Sequence, residues 1–344
     1  MRIAVKNLAH SILLGVTLIT GQGLAHDEHA VPVPEASKSG TQVQAAGLAF
    51  WNALTDAQRA SLSFPFNGPE AEAYWTPSGD GAATSPGLRL SNLAQDQRRR
   101  LDELLIASTS SQGYFKIRTA MQVDTLSPDH RVAIFGSPQT DEYWNYSLNG
   151  PHLRYNVMVL NGHMMLMPVF YGVGALTIED TRLPQEFNRG HELLMALTPD
   201  QRRIALVAPD WDSVEVNPNP RGVLEAKPSS FEHKGISGDQ LRPDQRSLLW
   251  KLIVEYVANS DFDFAADHFE GIHAGGWQDL HFLWIGPTDE SGFVFYSVSG
   301  PSILIEFGAI RTETGEITHP HVLVRDPKNA HGANWLTQYF RDHH

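Results

Sequence analysis

Apolar and polar positions alternate from Ser302 to Phe307, so that Ile303, Ile305 and Phe307 share one face while Ser302, Leu304 and Glu306 share the other. The turn pair Gly300-Pro301 precedes this β-branched run, which predicts a strand with Ile303, Ile305 and Phe307 in the core. A polar turn over Thr312 to Gly315 returns the chain through His319-Pro320-His321 to Arg325-Asp326. Pro320 cannot donate to a ladder, so the returning strand is expected at a sheet edge or in its own first turn. Elsewhere the period changes. Leu101, Leu104 and Leu105, and again Leu249, Leu252 and Ile253, recur at i, i+3, i+4, the stripe of a helix with one buried face. Asp96 and Asp244 fall in the first turns of those helices, where the dipole favours a carboxylate. Thr55 and Thr198 read as N-caps of two shorter helices, with Pro199 at a first position that needs no N–H.

The same pattern occurs twice. LTDAQR from Leu54 returns as LTPDQR from Leu197, 143 positions on; GLRLSNLAQDQRRRLDELL from Gly87 returns as GISGDQLRPDQRSLLWKLI from Gly235, 148 on; YSLNGPH from Tyr146 returns as YSVSGPS from Tyr296, 150 on. Three matches in one order at a nearly constant spacing predict an internally duplicated α+β unit, residues 49–190 and 191–344, the second ending in a C-terminal helix. In each copy strands follow the helices: Val132 to Phe135 against Phe282 to Ile285, and Leu153 to Leu160 against Ile303 to Ile310. Antiparallel strands with paired helices on one face, the copies related by a pseudo-twofold axis, is the expected architecture.

Composition narrows the setting. The 344 residues carry a net charge of −13, which argues against a nucleic-acid partner, since phosphate binding needs concentrated Lys and Arg. Arg2 and Lys6, the apolar run Ile12 to Ile19 and Gly23-Leu24-Ala25 have the order of a secretory signal peptide over 1–25, and no stretch has the length of a membrane span. Export to the periplasm or the medium is expected. Residues 26–48, polar and Pro-containing from Asp27 to Ala46, read as a flexible lead-in. With no cysteine, any metal must be held by His, carboxylate or Met.

Positions where the copies diverge towards His, Arg and carboxylate are where function is sought. His152 aligns with Ser302, His281 with Arg131, and the group His319, His321, Arg325 and Asp326 has no counterpart in the first copy. The Leu-x-x-x-Gln-Arg helix starts, Trp284-Ile285-Gly286, Gly300 to Phe307 and the closing His-x-His-x-x-x-Arg-Asp of His319 to Asp326 together resemble the DUF3500 family over nearly the whole mature chain. The resemblance implies a fold and a set of residues, and no reaction. One departure stands out: Gly150-Pro151-His152 replaces the family's Gly-His-His, so a site needing both histidines is incomplete here.

The candidate metal site is His152, Glu306, His319 and His321, a set suited to Zn²⁺, Mn²⁺, Fe²⁺ or Cu²⁺ with a position left for water. Residues two apart on a strand share a face, roughly 6.5 Å between Cα atoms, so His319 and His321 can meet one ion. The competing reading makes them exposed edge residues, with Glu306 pairing Arg325. Arg325 and Asp326 are candidates to orient a carboxylate-bearing substrate or to hold a ligand imidazole, or else close the strand as an ion pair. His281 is a candidate general base, or a buried His bonded to backbone. A free His26 amine and imidazole can chelate copper, as an active site or a scavenging tail, although nothing fixes the segment with His29 against a surface. His163 with Met164, Met165 and Met167 reads as core filling. Tyr74, Trp75, Trp211, Trp277 and Tyr339 line a groove or fill a core. No Gly-x-Ser-x-Gly, His-Glu-x-x-His, phosphate loop or catalytic Cys occurs. These residues point to an exported metal-dependent enzyme, hydrolytic or oxidative, acting on a small molecule or polymer; the alternative is a non-catalytic exported protein that captures a metal or an organic ligand.

Overall fold

The helix starts are built by glutamine. A computed structural model describes residues 38–66, 86–123, 130–173, 184–207 and 234–327. Its helices and strands in chain order are α1 (Lys38–Ala53), α2 (Asp56–Leu62), β1 (Ser63–Phe64), β2 (Leu88–Arg89), α3 (Gln95–Ser108), α4 (Ser111–Val123), β3 (Arg131–Phe135), β4 (Tyr143–Gly150), β5 (Leu153–Leu160), β6 (His163–Gly172), α5 (Pro184–Ala196), α6 (Pro199–Ala205), β7 (Ile236–Ser237), α7 (Pro243–Val257), α8 (Phe262–Gly275), β8 (His281–Ile285), β9 (Gly292–Gly300), β10 (Ile303–Arg311) and β11 (Ile317–Arg325). At α2 and α6 the expected caps form: Thr55 Oγ1 accepts from Gln58 N at 3.2 Å, Thr198 Oγ1 from Gln201 N at 3.3 Å, and each Gln side chain accepts from the cap N–H in return. Gln58 and Gln97 then exchange amide hydrogen bonds at 2.9 and 2.8 Å, and Gln97 donates to Ala53 O. Gln201 and Gln245 do the same, with Ala196 O as the third partner. The repeated Gln-Arg thus satisfies buried amides fully, in the same way in both halves.

The strands form one mixed sheet in the order β1-β3-β4-β5-β6-β11-β10-β9-β8-β7, with β2 also on β3. It runs unbroken across the boundary expected at 190/191. β1 joins β3 in parallel and the other ladders are antiparallel; Leu206 makes a parallel bridge to Trp284 where β1 meets β3 in the first half. The helices lie against one face. On it Tyr155, Val324, Ile303, Ile305 and Phe307 join the helix stripes Leu101, Leu104, Leu105 and Leu249, Leu252, Ile253 in one core. The stripe predicted for each long helix is therefore the buried one. The opposite face, expected to be the polar side of β10, is buried too: Leu304 and Glu306 have no exposed surface, and Phe170, Leu283, Ile285, Phe295 and Leu323 form a second cluster there.

Two expectations are corrected. Residues 38–48 are not a flexible lead-in but belong to α1, whose Gly40, Val43, Gly47 and Phe50 form a stripe hidden by its polar composition. The glycines let the helix lie on the sheet: a Cβ on Gly40 would meet Gly162 O at 1.9 Å, and one on Gly47 the Trp144 ring at 2.3 Å. Nor does the His319-Pro320-His321 strand form an edge of the sheet: from His321 onward β11 lies between β10 and β6, and Pro320, just before the β6 ladder begins, is accommodated in a bulge against β10.

Met164 and Met165 fill core, as expected, and Trp277 packs half-buried near Trp250. The signal-peptide segment, His26, His29, Tyr74, Trp75, Trp211, Tyr339 and the C-terminal helix lie outside the described residues. Among the described residues no helix is long and apolar enough to cross a membrane.

Beneath the junction of the halves, α4, α5 and α7 bury a charged network. Lys116 is 5% exposed, and its Nζ lies 2.8 Å from Glu186 and 2.7 Å from Glu255. Tyr171 donates to Glu186 Oε1 at 2.9 Å, and Tyr296 donates to Glu186 O at 2.6 Å. Burial pushes the Glu186 carboxyl above its ordinary value, and the Lys116 ammonium works against that shift.

Candidate metal centre

The site grows from strand register. Gly308 of β10 pairs with His321 and Ile310 with Thr318, so β11 spends two residues, His319 and Pro320, opposite Ala309 alone. His319 takes a left-handed backbone, φ 50°, which costs a side-chain-bearing residue about 1–2 kcal/mol. This bulge puts the His319 and His321 rings 4.7 Å apart, centroid to centroid. The third ring comes from the other half of the chain. His152 sits in the turn between β4 and β5, and its carbonyl accepts from Gly172 N at 2.8 Å, while His321 pairs with Gly172 from the other side. Gly172 is the residue between them. A Cβ there would lie 2.7 Å from His321 Cδ2, 2.7 Å from Pro320 O and 3.5 Å from His152 Cδ2, so the two imidazoles occupy the space a side chain would take.

The result is a three-histidine group. His152, His319 and His321 each offer a ring nitrogen, and these atoms all lie within 4.8 Å of one another. His152 Nε2 and His319 Nε2 are 3.3 Å apart. Two nitrogens on a tetrahedral Zn²⁺, each at 2.0–2.1 Å, are separated by about 3.3 Å, so this pair already has ligand spacing. Phe170 walls the group, its ring 5.3 Å from that of His321. His152 and His321 are buried and His319 is half-buried, which leaves His319 as the member nearest solvent. Burial, and then the charge of His152, hold the His319 pKa below the usual imidazole value, favouring the neutral, ligating form.

The other candidates are placed differently. Glu306 shares the face of His321 but pairs with Leu323, one row along, and stands outside the group of converging ligand atoms. Arg325, buried, shares that face too, yet lies four residues from His321, roughly 13 Å of extended strand. Asp326 belongs with the helix side, where its charge opposes the burial that lowers the His268 pKa. His281 lies on β8, three strand spacings or roughly 14 Å from β11, with Nδ1 3.3 Å from Asp279 O, the backbone-bonded alternative considered for it.

Gly172 and Phe170 were missed by sequence reasoning. Their signal was the proline itself: a His-Pro-His inside a strand-like run requires either an edge or a bulge, and only a bulge turns both rings inward. A small cavity of about 30 Å³ lies on the helix side of the sheet, walled by Lys116, Tyr155, Tyr171 and Tyr256, and is no part of the histidine group.

No curated protein and no solved structure matches this chain. Residues 36–333 match the family described as Protein of unknown function (DUF3500), and the chain belongs to that family.

Proposed function

We propose that this member of the family is an exported, metal-dependent enzyme whose ion is held by His152, His319 and His321. The single observation that carries the reading is the convergence of three imidazoles, one from the turn after β4 and two from a bulge in β11, around a glycine that makes room for them. Three neutral histidines suit Zn²⁺, Mn²⁺, Fe²⁺ or Cu²⁺, and such an ion with an open position supplies an activated water for hydrolytic or oxidative chemistry. In this chain His319 would face the incoming molecule, Phe170 would exclude water behind His321, and Glu306, roughly 7 Å from His321 as its diagonal neighbour, would act on the guest or the water rather than as a ligand.

The two-copy organisation belongs to the same reading. Val169 and Val324 pair with each other, and each occupies the same register relative to its own half, opposite Tyr155 and Ile305. That arrangement supports a pseudo-twofold axis through the pair and an ancestral duplication, with the metal group built from both copies just off the axis. An experimental structure in which a half-turn fails to superpose β3–β6 on β8–β11 would overturn it.

The test is metal analysis of the protein recovered from its producing cells, before and after His319→Ala with His321→Ala. One transition-metal equivalent per chain is expected in the wild type and none in the variant, with the chain beginning at His26 by mass. Equal metal in both sinks the site, and an intact Met1 terminus sinks export. Metal retained without turnover on hydrolytic and oxidative substrates assigns the protein to capture instead of catalysis.

A further inference from the structure

The two halves differ sharply at one place on the helix side. In the second half, Trp250 of α7 packs against Phe269 of α8 at 5.4 Å, His273 at 4.2 Å and Trp277 at 6.4 Å, with the Arg246 guanidinium 5.7 Å above the Trp277 ring. The space left among them is about 10 Å³. At the corresponding place in the first half is a cavity of about 510 Å³, floored by Leu93, Leu101, Leu105, Met121 and Leu148 and rimmed by Arg98, Asp102 and Arg118.

Hydrogen bonds that both halves share set the correspondence. Gln97 and Gln245 make the same amide pair, which aligns Asp102 with Trp250. Ser110 N donates to Asn259 O and Asp261 N to Ser108 O, a reciprocal pair that aligns Arg118 with Phe269 and Met121 with Ile272. Two aromatic rings of the second half, Trp250 and Phe269, are therefore replaced by an aspartate and an arginine. Asp102 and Arg118 bridge at 3.3 Å at the rim.

The cation that stacks on an indole is kept. Arg98 donates from Nη2 to Ser91 O at 3.2 Å, as Arg246 does to the matching Asp239 O at 2.9 Å, while the Nε groups bind different carbonyls, Leu93 O at 2.9 Å and Gly238 O at 2.8 Å. We propose that this cavity is a binding site for a planar aromatic small molecule, which takes the place that Trp250 fills in the other half. Its ring lies between the leucine floor and the Arg98 guanidinium, a surface that favours a π-face and disfavours a cation. The volume is within the range of ligand pockets, roughly 300–1,000 Å³. The site is separate from the three histidines and does not depend on a metal there.

The probe is indole, titrated calorimetrically into the full chain, with cyclohexanol as a non-planar apolar control. One saturable indole site per chain is expected, with cyclohexanol at least about tenfold weaker, a difference of about 1.4 kcal/mol. Asp102→Trp supplies the ring the second half carries, breaks an exposed bridge of small worth, and is expected to abolish indole binding without lowering Tm. Met121→Trp blocks the floor and serves if Asp102→Trp fails to fold. His321→Ala is expected to leave indole binding unchanged. The proposal is overturned by absence of saturable binding in the wild type, by equal binding of cyclohexanol, or by undiminished binding in the variant that fills the cavity.

Discussion

Replacing Gly172 by alanine tests the geometry of the histidine group at its tightest point. The added Cβ would sit 2.7 Å from His321 Cδ2 and from Pro320 O, where carbon contacts normally begin near 3.5 Å. Pro320 O is backbone, fixed by the bond from Val173 N at 3.2 Å, so it cannot swing aside as a flexible side chain can. The relief is therefore a shift of roughly 0.8 Å in the bulge or in the His321 ring. Overpacking of this kind costs about 1–3 kcal/mol, partly offset by the lower unfolded-state entropy of alanine, about 0.4–1 kcal/mol. A net loss of about 1–2 kcal/mol is expected in urea melts of the metal-free protein. Metal ligands tolerate displacements of only about 0.2 Å, so zinc affinity measured against a competing chelator should fall about 10–100-fold. Equal or higher stability together with unchanged affinity would refute the placement of both rings over Gly172. A stability loss with affinity intact would show that the rings are there but do not ligate.

Two further outcomes follow from the buried charges. Lys116→Met leaves Glu186 and Glu255 without their shared cation; a loss of about 3–5 kcal/mol is expected at pH 8, smaller at pH 5 because burial already favours protonated Glu186, and a pH-independent loss in paired denaturant melts would contradict this account. His191, His268 and His319 all have pKa values held below 6.5, chiefly by burial. Below about pH 6.5 the unfolded chain therefore binds protons that the folded chain resists, so their contribution to stability is complete above that pH and declines as pH falls. His319→Gln should shallow that decline between pH 7 and pH 5 in the metal-free protein, and a slope identical to wild type counts against it.

Much of the scaffold was legible because it rests on local chemistry. Thr55, Thr198 and the Gln-Arg pairs satisfy helix N-termini through groups three residues away, and the leucine stripes follow from helical period alone. β3, β5, β8 and β10 were legible from their β-branched, alternating runs, whereas β4 and β9 were not picked out as strands. α1 was not, since its apolar stripe contains two glycines whose value is their lack of a side chain against Gly162 and Trp144. Of the candidate site, His152, His319 and His321 form the converging set; register keeps Glu306 and Arg325 on the face of His321 but in other rows, and sets His281 three strands away on β8.

The sequence by itself determined the capped helices and their buried stripes, several of the strands, that the pattern recurs, and which histidines fall outside the recurring pattern, because propensity, capping and period act over a few residues. The tertiary structure alone decided that β11 is central, that Pro320 sits in a bulge, and that His152 meets two rings from 167 and 169 positions further along the chain. Those outcomes depend on which strands pair and in what register, and register is set by the packing of a whole sheet, which no single stretch of chain encodes.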